Sequence, residues 1–325
     1  MSGVLIADHV IERGEFGLDT VRIGGEATRR TMRRRQVSDW RVSAATNEAG
    51  QRVDRSFLRK LDCGATLQYR PGTGNDADRA FVEFSIPKLL AGENVHPSSL
   101  SAARVAVSAA LSEAGEFVEL HHTNVNRLDV VRDFTDVPHI AGVLLAFDTV
   151  PMSGRKTIVT YSDAAIGGIQ TRSVRNSDGG CRGYDKGVES GNPEAQGRLR
   201  IEAEERRRNL RQLGIERWDA LTERDLYTVG LRRFEWACFD ARISSASDAI
   251  VRILAADLNG AAKAKLVGFH ELQRRGLDSA LNGNDRSRFR RDLEALGLFG
   301  SEHADAPFRL DYDRGFLVGD EALAA

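Results

Sequence analysis

One tyrosine in this sequence stands in a setting that suits phosphoryl chemistry. Tyr184 lies in the segment RGYDKGVE, and Lys186 follows it two residues later. If the segment is a strand, its period of two places both side chains on one face. The ammonium group would favour the phenolate and neutralise a phosphate, which makes the tyrosine a candidate phosphoryl acceptor. The same pattern also fits an edge-strand tyrosine beside a lysine that extends its charge into water.

Three further segments with the polarity of strands each place a carboxylate opposite their apolar residues. These acids are Glu83 in FVEFSI, Asp129 in VNRLDVVRDF and Glu202 in GRLRIEAEERR. A half-buried sheet normally turns charge toward water, so one such acid alone indicates only a solvated face. If the three strands are neighbours, the acids converge on one open face and supply the oxygen ligands that Mg²⁺ prefers.

Several other common sites are excluded by the sequence. His121 and His122 are adjacent, so on a strand they face opposite sides, and no pair of histidines is spaced as a His-hydrophobic-His metal clamp requires. The three cysteines are far apart and form no CxxC pair, which argues against a zinc site or a disulfide framework. There is no P-loop, Rossmann glycine fingerprint or Ser-His-Asp order.

The order of predicted elements indicates an α+β fold. Residues 97–115 have the periodicity of a helix, residues 141–147 fit a helix or a strand, and from about 208 onward the pattern is mostly helical. We therefore predict a mainly antiparallel sheet with flanking helices, followed by a helical C-terminal region. The predicted boundary divides the chain into a domain over 1–245 and a region over 246–325.

Arginine is concentrated in three places, although the net charge of the chain is −1. The clusters are RRTMRRR at 29–35, the segment 198–211, and the segment 286–291. Affinity for nucleic acid depends on local phosphate contacts and not on the charge of the whole chain. Three clusters in one chain are thus compatible with DNA binding, and equally with solvated helix faces.

The stretch 266–300 has the pattern of two helices around a turn. The second helix is predicted to begin near Asp285, a good N-cap residue, with Arg286 and Arg290 toward its front end. A helix-turn-helix protein presents this part of its second helix to the major groove of DNA. A helical pair with a solvated arginine face has the same pattern.

Composition and hydropathy place the chain among soluble globular proteins. The sequence is 325 residues long, 41% hydrophobic and 29% charged. No apolar run approaches the roughly 18 to 20 residues that span a bilayer. The first residues lack the basic start, apolar stretch and cleavage site of a secretory signal. We expect a cytoplasmic protein without a membrane partner.

Four segments, in this order, resemble the filamentous-phage gene II type replication initiators, the II/X family of phage and plasmid proteins. The segments are FVEFSIPKLLAGENV, TNVNRLDVVRDF, TRSVRNSDGGCRGYDKGVES and GRLRIEAEERRRNLRQLGI, which together span residues from about 81 to 215. The third contains a Tyr-x-Lys-x-x-Glu pattern similar to the segment that holds the nucleophile of the family.

The resemblance implies a rolling-circle initiator, a site-specific endonuclease that also joins DNA. It implies that Tyr184 becomes linked to the 5′ phosphate of the cut strand and that Lys186 contacts this phosphate. It also implies that Asp129 and Glu202 bind Mg²⁺ or Mn²⁺, with Glu83 as a third ligand. The phosphotyrosine bond would keep the energy of the broken phosphodiester, so joining would need no ATP.

The expected partners are origin DNA, both double-stranded and as the displaced single strand, and the helicase and polymerase of the bacterial host. The expected DNA contacts are Arg127, Arg200, Arg286 and Arg290. A relaxase or a single-strand transposase is the alternative enzyme, which the missing histidine clamp disfavours. A DNA-binding repressor or copy-control protein without catalysis is the alternative of another class.

Overall fold

The computed structural model describes most of the chain. The described residues are 16–29, 40–46, 52–73, 75–137, 139–150, 152, 156–163, 168–241, 243, 246–275, 277–298, 309–311 and 316–318. The N-terminal segment 1–15, and the RRTMRRR cluster from residue 30 onward, lie outside the described residues.

The secondary structure alternates strands and helices before it becomes mainly helical. The strands are β1 (Gly17–Arg29), β2 (Arg41–Thr46), β3 (Arg52–Lys60), β4 (Thr66–Arg70), β5 (Arg79–Ser85), β6 (Val118–Leu120), β7 (Val125–Phe134), β8 (Thr157–Asp163), β9 (Gly168–Asn176), β10 (Gly179–Asp185), β11 (Leu199–Arg206), β12 (Arg309–Asp311) and β13 (Phe316–Val318). The α-helices are α1 (Ile86–Ala91), α2 (Leu100–Ala114), α3 (Ile140–Asp148), α4 (Lys186–Ser190), α5 (Arg207–Gln212), α6 (Glu223–Trp236), α7 (Ala246–Ala255), α8 (Gly260–Arg274) and α9 (Gly283–Ala295). Short 3₁₀ turns cover Pro193–Ala195 and Asp278–Ala280.

Most strands belong to one large sheet, with the order β2-β3-β4-β5-β1-β7-β11-β10-β9-β8 in the described part of the chain and β6 paired with β1. Every strand pair whose register is described is antiparallel. The predicted α+β class, with a large antiparallel sheet and helices at its flanks and C-terminal to it, is confirmed.

By compactness the chain forms two units that interleave in sequence. The first contains residues 1–132, 177–180 and 202–230, and the second contains 133–176, 181–201 and 231–325. Strands β7, β10 and β11 each contribute residues to both units. The functional division at residue 245 remains a prediction.

The strands near the middle of the sheet order are buried on both faces. In β7 and β11 most positions are buried, whereas β4 alternates between buried and partly exposed positions. Central strands covered on both sides can place even charged residues out of water. This burial determines the environment of the acids that the sequence pattern singled out.

Two predicted elements are realised as helices. Helix α2 begins after Ser99, whose side chain accepts a hydrogen bond from the amide of Ala102 at 3.2 Å, and its alanines are largely buried. The segment that fitted a helix or a strand is helix α3, with Leu144 and Phe147 fully buried.

Two local predictions are wrong in detail. Lys186 does not continue the strand of Tyr184, because Asp185 caps helix α4 at that point by accepting from the amide of Val188 at 3.1 Å. Helix α9 is capped by Asn282 and not by Asp285, whose amide instead donates to Asn282 at 2.9 Å. The mostly helical C-terminal part also contains β12 and β13, which form an antiparallel pair.

In the second unit, helices α7, α8 and α9 share a small apolar core. Its buried members are Ala249, Ile253, Leu266, Phe269, Leu293 and Leu298. In the described ranges, none of the helices combines the length and the apolar character that crossing a bilayer requires.

Candidate functional site

Two carboxylates lie near each other in the first unit, on the neighbouring strands β7 and β11. Asp129 is 1% exposed and Glu202 is 3% exposed. Burial, together with the negative charge of Glu202, raises the pKa of Asp129 well above its ordinary value. The predicted convergence of these two acids is present, but they do not line an open face. Two buried acids that repel each other are held together at an energetic cost.

The guanidinium of Arg127 offsets part of this negative charge. Its Nε donates to Oδ1 of Asp129 at 2.8 Å and its Nη2 donates to Oδ2 at 2.5 Å. Oε2 of Glu204 lies 3.6 Å from the same Nη2. Burial lowers the pKa of Arg127, but the hydrogen bonds and charge of Asp129 outweigh it, with Glu204 and Glu83 adding to them, so the pKa is raised overall.

Glu83 is connected to these residues through arginines. Its Oε1 accepts from Nη1 of Arg127 at 3.3 Å, and its Oε2 accepts from Nη1 of Arg22 at 3.3 Å. Its side chain is 35% exposed, compared with 12% for Glu204. We call Glu83, Asp129, Glu202 and Glu204, together with Arg127, the acidic cluster.

The donor chemistry of the acidic cluster suits a hard divalent cation. Mg²⁺ and Mn²⁺ choose carboxylate oxygens, and rigid central strands hold Asp129 and Glu202 near each other. No group of three or more histidines, cysteines, aspartates or glutamates close enough to hold a metal ion occurs among the described residues. Asp129 and Glu202 by themselves do not make up such a group; both oxygens of Asp129 accept from Arg127, and Glu83 is paired with two guanidinium groups.

Tyr184 lies in the second unit, at the end of strand β10, and is 3% exposed. The guanidinium carbon of Arg182 lies 5.2 Å from the centre of its ring, and Nζ of Lys186 lies 5.8 Å from the same point. The expected proximity of Lys186 to Tyr184 therefore exists, although a helix start and not strand periodicity produces it. The tyrosine is flanked by two positive charges.

Lys186 is fully buried at the first position of helix α4. Its Nζ donates to Oε2 of Glu189 at 2.6 Å, and its amide donates to the carbonyl of Arg198 at 2.9 Å. The side chain of Glu189 is 50% exposed. The lysine and the glutamate of the Tyr-x-Lys-x-x-Glu pattern therefore form an ion pair in the second unit.

The arginines predicted to contact DNA have different environments. Arg200 is fully buried and donates to Asp133 at 2.6 and 2.8 Å, so it is not placed to reach a phosphate. Arg290, on helix α9, is exposed and pairs with Asp278 at 3.0 Å. Arg286 is partly buried on the same helix, and Arg127 belongs to the acidic cluster.

Two residues near the candidate site residues were not predicted from the sequence, although strand periodicity indicates both. Glu204 lies two residues after Glu202 on β11, and Arg182 lies two residues before Tyr184 on β10. Positions two apart on a strand share a face. Counting charged residues at this spacing around each candidate would have added both to the predicted set.

Comparisons with known proteins find a weak similarity to one solved structure. No family model matches the sequence, and no curated protein matches it. Among solved structures, the chain is similar to a rolling circle replication initiator protein from Geobacillus stearothermophilus. The TM-score is 0.35 and the identity 15%, over 67% of this chain and 84% of that chain. A likeness at this level carries no argument about the site.

Proposed function

We propose that this chain is a rolling-circle replication initiator of the gene II type, an enzyme that nicks and rejoins one DNA strand. Tyr184 is the proposed nucleophile. Asp129 and Glu202 are the proposed ligands of a divalent cation, and Lys186 with Arg182 is proposed to neutralise the phosphate that Tyr184 attacks.

The observation that carries the proposal is the pair of buried acids Asp129 and Glu202. A fold that keeps two carboxylates close together and out of water loses stability, and such pairs are concentrated at functional sites. The guanidinium of Arg127 donates to both carboxylate oxygens of Asp129 and offsets part of the negative charge of the pair. A divalent cation would stabilise both acids in their charged form.

The reaction follows from the residue types. The Tyr184 oxygen attacks the phosphorus of a phosphodiester, an O–P bond forms, and the bond from phosphorus to the 3′ oxygen breaks. The tyrosine loses its proton and the departing 3′ oxygen gains one, which leaves a free 3′ hydroxyl and a 5′ phosphotyrosine. Attack of a 3′ hydroxyl on the phosphotyrosine reverses the step and joins the strand.

Positive charge near the reacting phosphate is what phosphoryl transfer requires most. Lys186 and Arg182 lie within 6 Å of the ring of Tyr184 and supply two such charges. The divalent cation proposed at Asp129 and Glu202 would be the metal cofactor of the enzyme. Because Tyr184 is 3% exposed, the proposal requires its hydroxyl to be uncovered when DNA binds.

The remaining parts of the proposal concern partners. The free 3′ hydroxyl would be extended by the polymerase of a bacterial host while a host helicase separates the strands. Region 246–325 would contact the double-stranded origin through arginines of helix α9. A DNA-binding repressor or copy-control protein would use the same region without any cleavage.

The test is adduct formation on supercoiled origin DNA in the presence of Mg²⁺. We expect open circles that carry covalently bound protein, and we expect Tyr184→Phe to reduce the adduct by about three orders of magnitude with DNA affinity unchanged. Tyr161→Phe is the matched control, because Tyr161 also lies in the second unit but is 62% exposed.

Two results would contradict the proposal. Undiminished nicking by the Tyr184→Phe variant would show that another residue is the nucleophile. Specific origin binding by the unmodified protein, with no nick or adduct at any Mg²⁺ or Mn²⁺ concentration, would instead favour the repressor.

A further inference from the structure

A groove of about 510 Å³ lies in the first unit, over strands β1, β3, β4 and β5 and beside helix α1. Its lining includes three cationic side chains and one carboxylate, that of Glu83. The lining residues that matter for its chemistry are Arg22, Leu58, Lys60, Gln68, Phe81 and Lys88. A concave site with an excess of positive charge suits an anionic ligand.

The register of the sheet connects this groove to the acidic cluster. Lys60 is opposite Thr66, Thr66 is opposite Glu83, Glu83 is opposite Arg22, and Arg22 is opposite Arg127. Residues that are directly opposite in neighbouring strands project from the same face. We call these five residues the polar row.

The polar row crosses five strands at about 4.8 Å per strand, so it extends for about 19 Å. Lys60 stands at the groove end of the row, and Arg127 stands at the end that binds Asp129. A chain of phosphates that followed the row would therefore pass from the groove to the acidic cluster.

The floor of the groove offers the contacts that a nucleobase uses. The register places Leu58, Gln68 and Phe81 opposite one another on the same face as the polar row. The guanidinium of Arg22 lies 4.6 Å from the centre of the Phe81 ring and donates to the side-chain oxygen of Gln68. A planar guanidinium over an aromatic ring is a stacking surface for a base, and the amide of a glutamine can bond to a base edge.

The two lysines supply the phosphate contacts. Lys60 and Lys88 are both exposed, and Nζ of Lys60 donates to the carbonyl of Gly64 at 2.7 Å, which holds it at the groove. Glu83 is the acid in the lining, and its carboxylate is already paired with Arg22 and Arg127. The groove thus combines cations, a stacking surface and a polar side chain within one concave site.

We propose that this groove binds one unstacked nucleotide of a single DNA strand, with its phosphate at Lys60 and Lys88 and its base against Arg22 and Gln68. This inference rests on the proposed function, since it assigns the groove to the strand that enters the acidic cluster along the polar row. A base inside a duplex is stacked on its neighbours and could not enter a concave site of this kind.

Binding of a labelled single-stranded oligonucleotide, measured by anisotropy with divalent metal chelated, tests the proposal without any cleavage. We expect Lys60→Gln with Lys88→Gln to weaken binding about tenfold and to lower the slope of log affinity against log salt by about 0.7, the value for one lost phosphate contact on a single strand. Arg217→Gln is the matched control, because it removes a positive charge from an exposed residue of the same unit. We expect Gln68→Leu to change the preference among the four bases and to leave the salt slope unchanged.

A second measurement uses the unmodified protein and is independent of how the variants fold. Cys63 lines the groove, so its alkylation, followed by mass spectrometry, reports occupancy. We expect the oligonucleotide to protect Cys63 at concentrations where dAMP and inorganic phosphate do not. Equal protection by dAMP or phosphate would overturn the proposal in favour of a small-molecule site. Unchanged alkylation with the strand bound would overturn it outright.

The experiments distinguish an absence of strand binding in the groove from an absence of the proposed nicking activity. Adduct formation on origin DNA reports the nicking activity, whereas anisotropy and alkylation report strand binding alone. An adduct that forms while Cys63 stays unprotected would reject the groove and retain the enzyme. Protection without an adduct would reject the enzyme and retain a strand-binding groove.

Discussion

Arg127 donates to both carboxylate oxygens of Asp129, which lies only two residues further along the same strand. The sequence of β7 therefore places a positive charge, the guanidinium of Arg127, next to the carboxylate of Asp129. The guanidinium of Arg127 stabilises the charged form of Asp129, and it would compete with the proposed metal ion for the same oxygens.

If Arg127 and the proposed metal ion compete for the oxygens of Asp129, Arg127→Gln should change the affinity for metal. Without the guanidinium the acidic cluster becomes more negative, so we expect Mn²⁺ to bind about tenfold more tightly, which is about 1.4 kcal/mol. In chelator, we expect the free energy of unfolding to fall by about 1 to 3 kcal/mol, because Asp129 loses its charged donor. Titration calorimetry and urea unfolding measure the two effects.

The control for this prediction is Arg22→Gln. Arg22 pairs with Glu83, and none of its described hydrogen bonds reaches Asp129, so this variant should leave Mn²⁺ affinity near that of the parent. An unchanged or weaker Mn²⁺ affinity in Arg127→Gln would contradict competition between the guanidinium and the metal.

Lys186 and Glu189 are expected to contribute unequally to adduct formation. We expect Lys186→Met to slow formation of the Tyr184 adduct about a hundredfold, because a charge next to the reacting phosphate is lost. Glu189→Gln keeps the ammonium group, so adduct formation should stay near the parent rate. The glutamine variant should lose about 1 kcal/mol of stability, because the buried ammonium loses its charged acceptor. Single-turnover assays and urea unfolding separate these effects, and equal slowing in both variants would contradict the assignment.

Gly183 is expected to be essential to the packing around Tyr184. A Cβ at this position would lie 2.8 Å from Cδ1 of Ile201 and 2.8 Å from Cζ of Phe239. We therefore expect Gly183→Ala to lower the free energy of unfolding by about 1 to 3 kcal/mol through overpacking. Gly268→Ala is the matched control, because nothing lies within 4 Å of its Cβ position in helix α8. It should raise stability by about 0.5 to 1 kcal/mol, and the opposite order of the two variants in thermal unfolding would contradict this account.

The salt dependence of DNA binding tests the role proposed for helix α9. If Arg286 and Arg290 each contact a phosphate, replacement of either by alanine should reduce the slope of log affinity against log salt by about 0.9 on double-stranded DNA. Arg274→Ala provides the comparison, because Arg274 lies on helix α8 and pairs with Glu271. Slopes equal to that of the parent would show that α9 carries only a solvated arginine face.

The sequence alone was sufficient to predict the strands that carry the candidate acids and the α+β class. Alternating polarity identified the strands of Glu83, Asp129 and Glu202, because this pattern arises from the geometry of a single extended segment. It also identified Tyr184 and Lys186 as neighbours, although the helix that begins at Lys186 was not anticipated. The cap formed by Asp185 at that point is a signal that the sequence contains.

The tertiary structure decided which of these residues meet and in what environment. Asp129 and Glu202 are far apart in sequence, and only the pairing of central strands buries them near each other and raises the pKa of Asp129. The pairing of strands also places Arg200 where it donates to Asp133, and it places Lys60 and Arg127 on the same face of the sheet, at the two ends of the polar row. Strand order and burial depend on contacts between distant segments, and for that reason local periodicity could nominate these residues but could not assign their partners.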